Sequence, residues 1–269
     1  MIRWRWAAAW LVAAAAPLPA QDEAPAPIAD NSFHIDEAYN QERGGEQHIS
    51  TFARPDGGGA WAYSFTQEWP FRGMRHQLSY TVPVLHDEVT GTGLGDIGLN
   101  YRYQLVGLEG GSVYVAPRLS LLLPTGSEFR GRGAGGAGVQ ANLPVSLTPT
   151  PGLALHANAG ATWTPSAKSP EGVSAATWSA NAGGSAIWLV RPSFNVLVEL
   201  LWYGTEAVVA EDATVRDDVW LLNPGVRWAF NFPSGLQIVP GAAYTVALNG
   251  NDGGDGLFFY LSFEHPFKH

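Results

Sequence analysis

The amino-acid sequence predicts an all-β chain folded as a transmembrane, antiparallel up-and-down β-barrel of about twelve strands. Three observations carry that expectation. Segments of about 9 to 15 residues repeat a period-2 alternation of apolar and polar side chains, the pattern of a strand with two unlike faces. The connections between those segments alternate between tight turns and longer polar stretches. Tryptophans recur in pairs at the two ends of one strand face, where a barrel meets the two membrane interfaces.

The first residues read as an export signal. Arg3 and Arg5 precede an apolar stretch from Trp6 to Ala16, then Pro17-Leu18-Pro19-Ala20 supplies small residues and Gln21-Asp22-Glu23 follows at once. The apolar run is about half as long as a spanning helix needs, so residues 1–20 are expected to be cut off after Ala20. Gln21 to Asp30 is rich in proline, alanine and acidic residues without periodicity. Residues 21–46 are expected to form a periplasmic N-terminal linker, flexible at least to Asp30, ahead of a barrel over 47–267.

Composition excludes several classes. Although 46% of the chain is hydrophobic, no later segment approaches the roughly 18 consecutive apolar residues of a helical inner-membrane span. Without Arg3 and Arg5 the 15 basic residues fall to 13 against 24 acidic ones, and Lys168 and Lys268 are the lysines, which disfavours nucleic acid or another polyanion as partner. The chain has no cysteine, so disulfides, thiolate metal sites and thiol nucleophiles are ruled out.

The alternation places strands at Gln47 to Arg54, Trp61 to Phe71, His76 to Val84, Leu94 to Val106, Val113 to Leu123 and Val139 to Leu147 in the first half. The second half supplies Leu153 to Trp163, Trp178 to Val190, Phe194 to Trp202, Trp220 to Phe232, Leu236 to Leu248 and Leu257 to Phe267. Even-numbered strands end in tight turns at Arg72-Gly73, Glu109-Gly110-Gly111, Thr150-Pro151-Gly152, Arg191-Pro192 and Pro233-Ser234-Gly235. Odd-numbered strands, after the short Asp56-Gly57-Gly58-Gly59 connection, lead into His86 to Thr92, Gly126 to Gly138, Pro165 to Ala176, Gly204 to Asp218 and Asn249 to Gly256. Short turns on the periplasmic side and an even strand count put both termini in the periplasm of a Gram-negative outer membrane.

Trp61 and Trp69, Trp178 and Trp188, and Trp220 and Trp228 share a face within their strands. At roughly 3.3 Å per residue and a tilt near 40°, such spacings project to about 20–25 Å along the membrane normal, close to the height of a barrel's apolar band. Trp163, Trp202 and Phe267 complete the expected aromatic girdle against outer-membrane lipid, and Gln67 interrupts the apolar face between Trp61 and Trp69. A soluble β-sandwich would share the alternation but has no need of aromatics at both ends of an outward face.

The opposite faces carry Glu68, Asp96, Asn100, Arg102, Arg118, Glu199, Asn223, Arg227, Tyr260 and Glu264, which are expected to line the lumen, since ionisable groups are costly against lipid. They could fill and stiffen the barrel as a salt-bridged network or filter a small solute at a constriction. Gly91-Thr92-Gly93-Leu94-Gly95 is followed by a strand rather than a helix, so it is not a phosphate loop. The seven histidines show no metal-ligand spacing, and His86-Asp87-Glu88 reads as a solvated rim. No catalytic residues, metal or cofactor are assigned. A lipid-modifying hydrolase would need a serine, a histidine and an acid converging at the rim, and Ser64, Ser179 and His156 fall on inward faces.

Gly93-Leu94-Gly95-Asp96-Ile97-Gly98-Leu99-Asn100-Tyr101-Arg102-Tyr103, Pro117-Arg118-Leu119-Ser120-Leu121-Leu122-Leu123-Pro124-Thr125-Gly126 and Asn223-Pro224-Gly225-Val226-Arg227 resemble motifs of the phenol meta-pathway transporter family of outer-membrane β-barrels. The resemblance runs over roughly Asn31 to Phe267 and implies the barrel fold and a transporter role, while the polar inward face of a single-chain barrel makes passive passage of small, hydrophobic or aromatic solutes the leading expectation. It implies no catalytic residues. Of the motif residues, Asp96, Arg102, Arg118 and Arg227 are those expected to face the lumen. The competing reading is a closed structural or surface-interaction barrel; the hydrolase is the third.

Overall fold

The computed structural model describes residues 31–108, 111–249 and 254–266. Residues 1–20, expected to be an export signal, the stretch 21–30 and Phe267 lie outside them.

The strands are β1 (Gly45–Pro55), β2 (Trp61–Pro70), β3 (His76–Asp87), β4 (Gly91–Leu94), β5 (Ile97–Tyr103), β6 (Val113–Val115), β7 (Arg118–Leu123) and β8 (Gly138–Thr150). They continue as β9 (Leu153–Lys168), β10 (Ser174–Arg191), β11 (Phe194–Ala210), β12 (Ala213–Trp228), β13 (Phe230–Asn231), β14 (Gln237–Ala247) and β15 (Gly256–Pro266). Short breaks split three wall strands, so that β4 with β5, β6 with β7, and β12 with β13 each count as one. Twelve antiparallel wall strands result, each beside its sequence neighbour. Pairing of β1 with β15, from Gly45 opposite Pro266 to Pro55 opposite Gly256, closes the ring. Closure leaves no edge strand, so the wall's ladder partners are internal, as a lipid environment demands.

The alternation translates directly into faces. Leu119 is 62% exposed and Leu121 and Val139 are also exposed, while Ser120 and Asn142 on the same strands are buried. Trp163 stacks on Trp178 and Trp202 lies beside Trp220, at ring separations of 6.0 and 6.3 Å, towards the long-loop end. Trp188 and Trp228 face outward near the short-turn end, the latter beside Phe194 at 5.4 Å. Trp61 stacks on His86, and Trp69 packs on Tyr80, which also hydrogen-bonds Gln67. Gln67 is thus tolerated on the outward face because its amide is satisfied locally.

Two expected loops are largely strand. The stretches Pro165 to Ala176 and Gly204 to Asp218 instead continue β9 to Lys168 and β11 to Ala210, with β10 and β12 starting at Ser174 and Ala213. The β11–β12 ribbon runs eight residues past Trp202, roughly 25 Å of strand, before turning at Asp212 with φ 54°. Its polar composition reads as loop because no lipid constrains either face there. The segment 124–137 between β7 and β8 carries a 3₁₀ turn, Glu128–Arg130.

The larger departure is at the N-terminal side. Residues 21–46 are expected to be a periplasmic linker, yet from Asn31 to Gln41 the chain runs inside the barrel, and β1 has begun by Gly45. Asn31, Ser32, Phe33, Ile35 and Ala38 are all buried. A cluster of Phe33, Ile187, Leu197, Val239, Ala243, Phe258 and Tyr260 forms the apolar core within the ring.

Candidate functional site: a lumen divided by the N-terminal segment

The segment enters at the short-turn end, where β1 starts, and its backbone is satisfied almost residue by residue by inward side chains. Bends at 33–35 turn three successive N–H groups, of Phe33, His34 and Ile35, onto one oxygen of Glu199 at 3.0, 2.8 and 3.1 Å. Asn223 donates to the other oxygen at 2.7 Å. Glu199 is 0% exposed, and a carboxylate at that depth is tolerable because four donors replace its water.

Asn158 then grips Asp36 twice, accepting from its N–H at 2.6 Å and donating to its carbonyl at 2.9 Å. The Asp36 carboxylate pairs with Arg118 at 2.9 Å and accepts from Asn142 at 2.8 Å. Ser146 accepts from Ala38 N–H at 2.7 Å, while Gln104 donates to the Ala38 carbonyl and accepts from Asn40 N–H. Gln77 accepts from Gln41 N–H at 2.7 Å.

Arg102 is the hub of this layer. Its guanidinium donates to the carbonyls of Glu37 and Tyr39 and to the Asn40 side chain at 2.8–3.1 Å, with the carboxylates of Glu37 and Glu68 at 3.8 and 3.6 Å. A planar fork that satisfies carbonyls and carboxylates together is a task for arginine rather than lysine.

Side chains of the segment key into notches in the wall. The Phe33 ring packs on Phe258 and Tyr260, with centroids 5.3 and 5.4 Å away. A Cβ at Gly225 or Gly241 would fall 2.5 or 2.6 Å from that ring, so these glycines are the space that Phe33 fills. Gly183 makes the same room for Ile35, whose Cδ1 is 2.8 Å from where its Cβ would be.

The other expected lumen residues fall as follows. Glu68 accepts from Gln77 at 2.8 Å, Arg227 lies under the Tyr260 ring at 5.9 Å, and Glu264 borders the cavity at the short-turn end. Asn100 donates to Ser79 and Thr81 in the middle of the barrel. Asp96 does something different: from the break between β4 and β5 its carboxylate accepts the N–H groups of Gly126 and Ala134, pinning the 124–137 loop to the wall. Thr125 donates to the Gly95 carbonyl and accepts from Ile97 N–H, and a Cβ at Gly93 would collide with Arg132 of the same loop. The two motif stretches around Asp96 and Thr125 therefore meet, with their glycines leaving space for the loop.

The segment lies between two cavities. One of about 460 Å³ opens at the short-turn end among Tyr39, Gln41, Met74, Gly107 and Tyr114. The other, about 250 Å³, lies deeper, with Phe33, Ile35, Phe258 and Tyr260 facing Thr51, Thr66, Thr81 and Asn100. Asn31 and Glu37 border both.

The serines and histidine noted in the sequence do not assemble at a lipid-facing rim. Ser64 bonds Thr51 at 2.8 Å, and His156 pairs with buried Ser146, whose hydroxyl already holds the Ala38 amide. Sequence reasoning missed the plug residues themselves and the amides Gln77, Gln104, Asn142 and Asn158 that hold them. The available signal was a run of Asn and Gln at inward positions of successive strands, a residue type suited to pairing with a backbone.

Among curated proteins no relative matches this sequence. Solved structures share its fold. An outer membrane channel from Pseudomonas putida F1 is 11% identical with a TM-score of 0.61, covering 88% of this chain and 100% of that one. The NanC porin is 11% identical with a TM-score of 0.54, covering 82% and 100%; the KdgM porin is 9% identical at 0.50, covering 82% and 99%. At such identities the likeness concerns the fold. The family described as "Putative MetA-pathway of phenol degradation" matches residues 30–263, and the chain belongs to that family.

Proposed function

We propose that the protein is a passive outer-membrane channel for small solutes and that residues 31–41 are its gate. The observation that carries this reading is the division of one polar-lined lumen into two cavities by a chain segment that is not part of the wall. Among the described residues the segment's backbone is held by wall side chains and the wall ladder runs between strands, so the segment can shift without breaking a wall ladder bond. The short-turn end would face the periplasm, placing both termini there, after removal of residues 1–20.

The deeper cavity supports a solute class. Phe33, Ile35, Phe258 and Tyr260 share this cavity with hydroxyls, Asn100 and the charged Asp36, Glu37, Glu68, Arg102 and Arg118, which suits a small amphipathic molecule that joins an apolar or aromatic body to a polar group. The lumen residues Arg102, Arg118 and Glu199 act on passage through the segment they hold rather than as bare filter charges.

A second reading, a closed structural barrel, is favoured by how completely the segment's backbone is satisfied. Liposome swelling separates the two. Folded mature protein should admit phenol-sized solutes slowly, and a variant lacking residues 31–41 should admit them several-fold faster, as expected when a plug that fills a narrow lumen is removed. Vesicles that stay impermeable with both proteins, each confirmed folded by gel mobility, would rule out the channel.

A further inference from the structure

We propose that Glu46, His48 and His265 form a divalent-cation clasp across the seam where the barrel closes. Glu46 and His265 are directly opposite each other in the β1–β15 register, and His48 lies two residues on from Glu46, on the same outward face. One ligand atom from each residue lies within 4.8 Å of the others, and His48 Nε2 is already 3.5 Å from a Glu46 oxygen. The two imidazole rings are stacked with centroids 5.6 Å apart.

That geometry is close to what a metal needs. Ligands at about 2.0–2.1 Å around a tetrahedral ion are roughly 3.3 Å apart, so side-chain rotations without backbone movement can bring these atoms onto one centre. Two imidazoles and one carboxylate select a borderline cation such as Zn²⁺ over Mg²⁺ or Ca²⁺, which prefer all-oxygen shells, and three protein ligands leave a fourth position for water. The carboxylate has support beyond the metal, since Gln67 donates to Glu46. Phe65 stacks on His48 at 5.9 Å, and His48 stands opposite Gln67, two residues from Trp69 on β2, while Glu46 and His265 face each other nearer the short-turn end.

The histidines have no metal-ligand spacing in sequence because the ligands come from the first and last wall strands, some 217 residues apart between His48 and His265. Those strands meet when the ring shuts. A cation bound there binds the closed barrel and not the open sheet, and so stabilises closure by mass action.

The test uses full-length mature protein without an affinity tag, folded in detergent micelles. Calorimetric titration with ZnCl₂ should show one site, heat-induced unfolding should move to higher temperature with Zn²⁺ and return with EDTA, and MgCl₂ should do neither. His48→Gln and His265→Gln should each weaken Zn²⁺ binding by roughly tenfold or more, as loss of one of three ligands implies, while His86→Gln at the far end should not. Co²⁺ added to the unaltered protein should give the visible absorption of a low-coordinate nitrogen and oxygen site, a readout independent of whether the variants fold. Absence of Zn²⁺ binding by the unaltered protein, or binding that survives His48→Gln with His265→Gln together, would overturn the proposal.

Discussion

The two halves of the lumen follow the same strand alternation but use it differently. Near the short turns the inward positions are Glu199, Asn158, Arg118, Arg102, Gln104 and Gln77, large polar groups committed to a chain segment that threads between them. In the middle of the barrel the inward positions are Thr51 with Ser64, Thr66 with Thr81, and Asn100, short groups that bond one another across neighbouring strands and leave a cavity. Strand pattern decides that a residue faces inward; whether it is then a filler, a clamp or a lining depends on a segment that has no pattern of its own.

If the clamped half governs passage, the largest effect should come from taking the clamp apart. Glu199→Ala leaves three N–H groups, two of them buried, without an acceptor, and the docked segment should lose about 3 kcal/mol, on the order of a hundredfold in its occupancy of the lumen. Bilayer recordings should then show long open events; Glu199→Gln, which keeps an acceptor oxygen, should show fewer. Gly241→Ala should act next, because the new methyl overlaps the Phe33 ring and overpacking of this kind costs about 1–3 kcal/mol, whereas Gly184→Ala, whose Cβ meets nothing closer than 3.4 Å, should match the unaltered protein. The smallest effect on stability should come from the lining half. Thr66→Val removes one exchangeable hydroxyl pair, about 1 kcal/mol or less, and should change which solutes pass rather than how often the path opens. A larger effect on gating from Thr66→Val than from Glu199→Ala would reverse the assignment of the two halves.

The wall was legible in the sequence for a physical reason. Lipid on one side and a polar lumen on the other force period 2 on each strand, so Leu119 and Ser120, or Trp188 and Ile187, announce their faces. The plug was not legible, because its partners are distributed over β1, β3, β5, β7, β8, β9 and β11, and a segment that meets each strand at only one or two positions carries no repeat. Asp96 read as one more inward charge, yet the break at Gly95 redirects it to the amides of a loop 30 or more positions away. The β11–β12 ribbon read as loop because beyond the tryptophans nothing keeps its outer face apolar.

The claim that residues 31–41 gate the lumen can be tested most directly by tying them down. The Ser32 and Ser185 hydroxyls are 2.5 Å apart, and because a C–S bond is longer than a C–O bond, cysteines there can bring their sulfurs to the bonding distance of about 2.05 Å, with no native cysteine to interfere. Ser32→Cys with Ser185→Cys would fix one end of the segment while β1 fixes the other. Single-channel conductance of this protein should be close to absent when oxidised and return on reduction. Equal conductance in the two states would contradict the account, because solute would then cross without the segment moving.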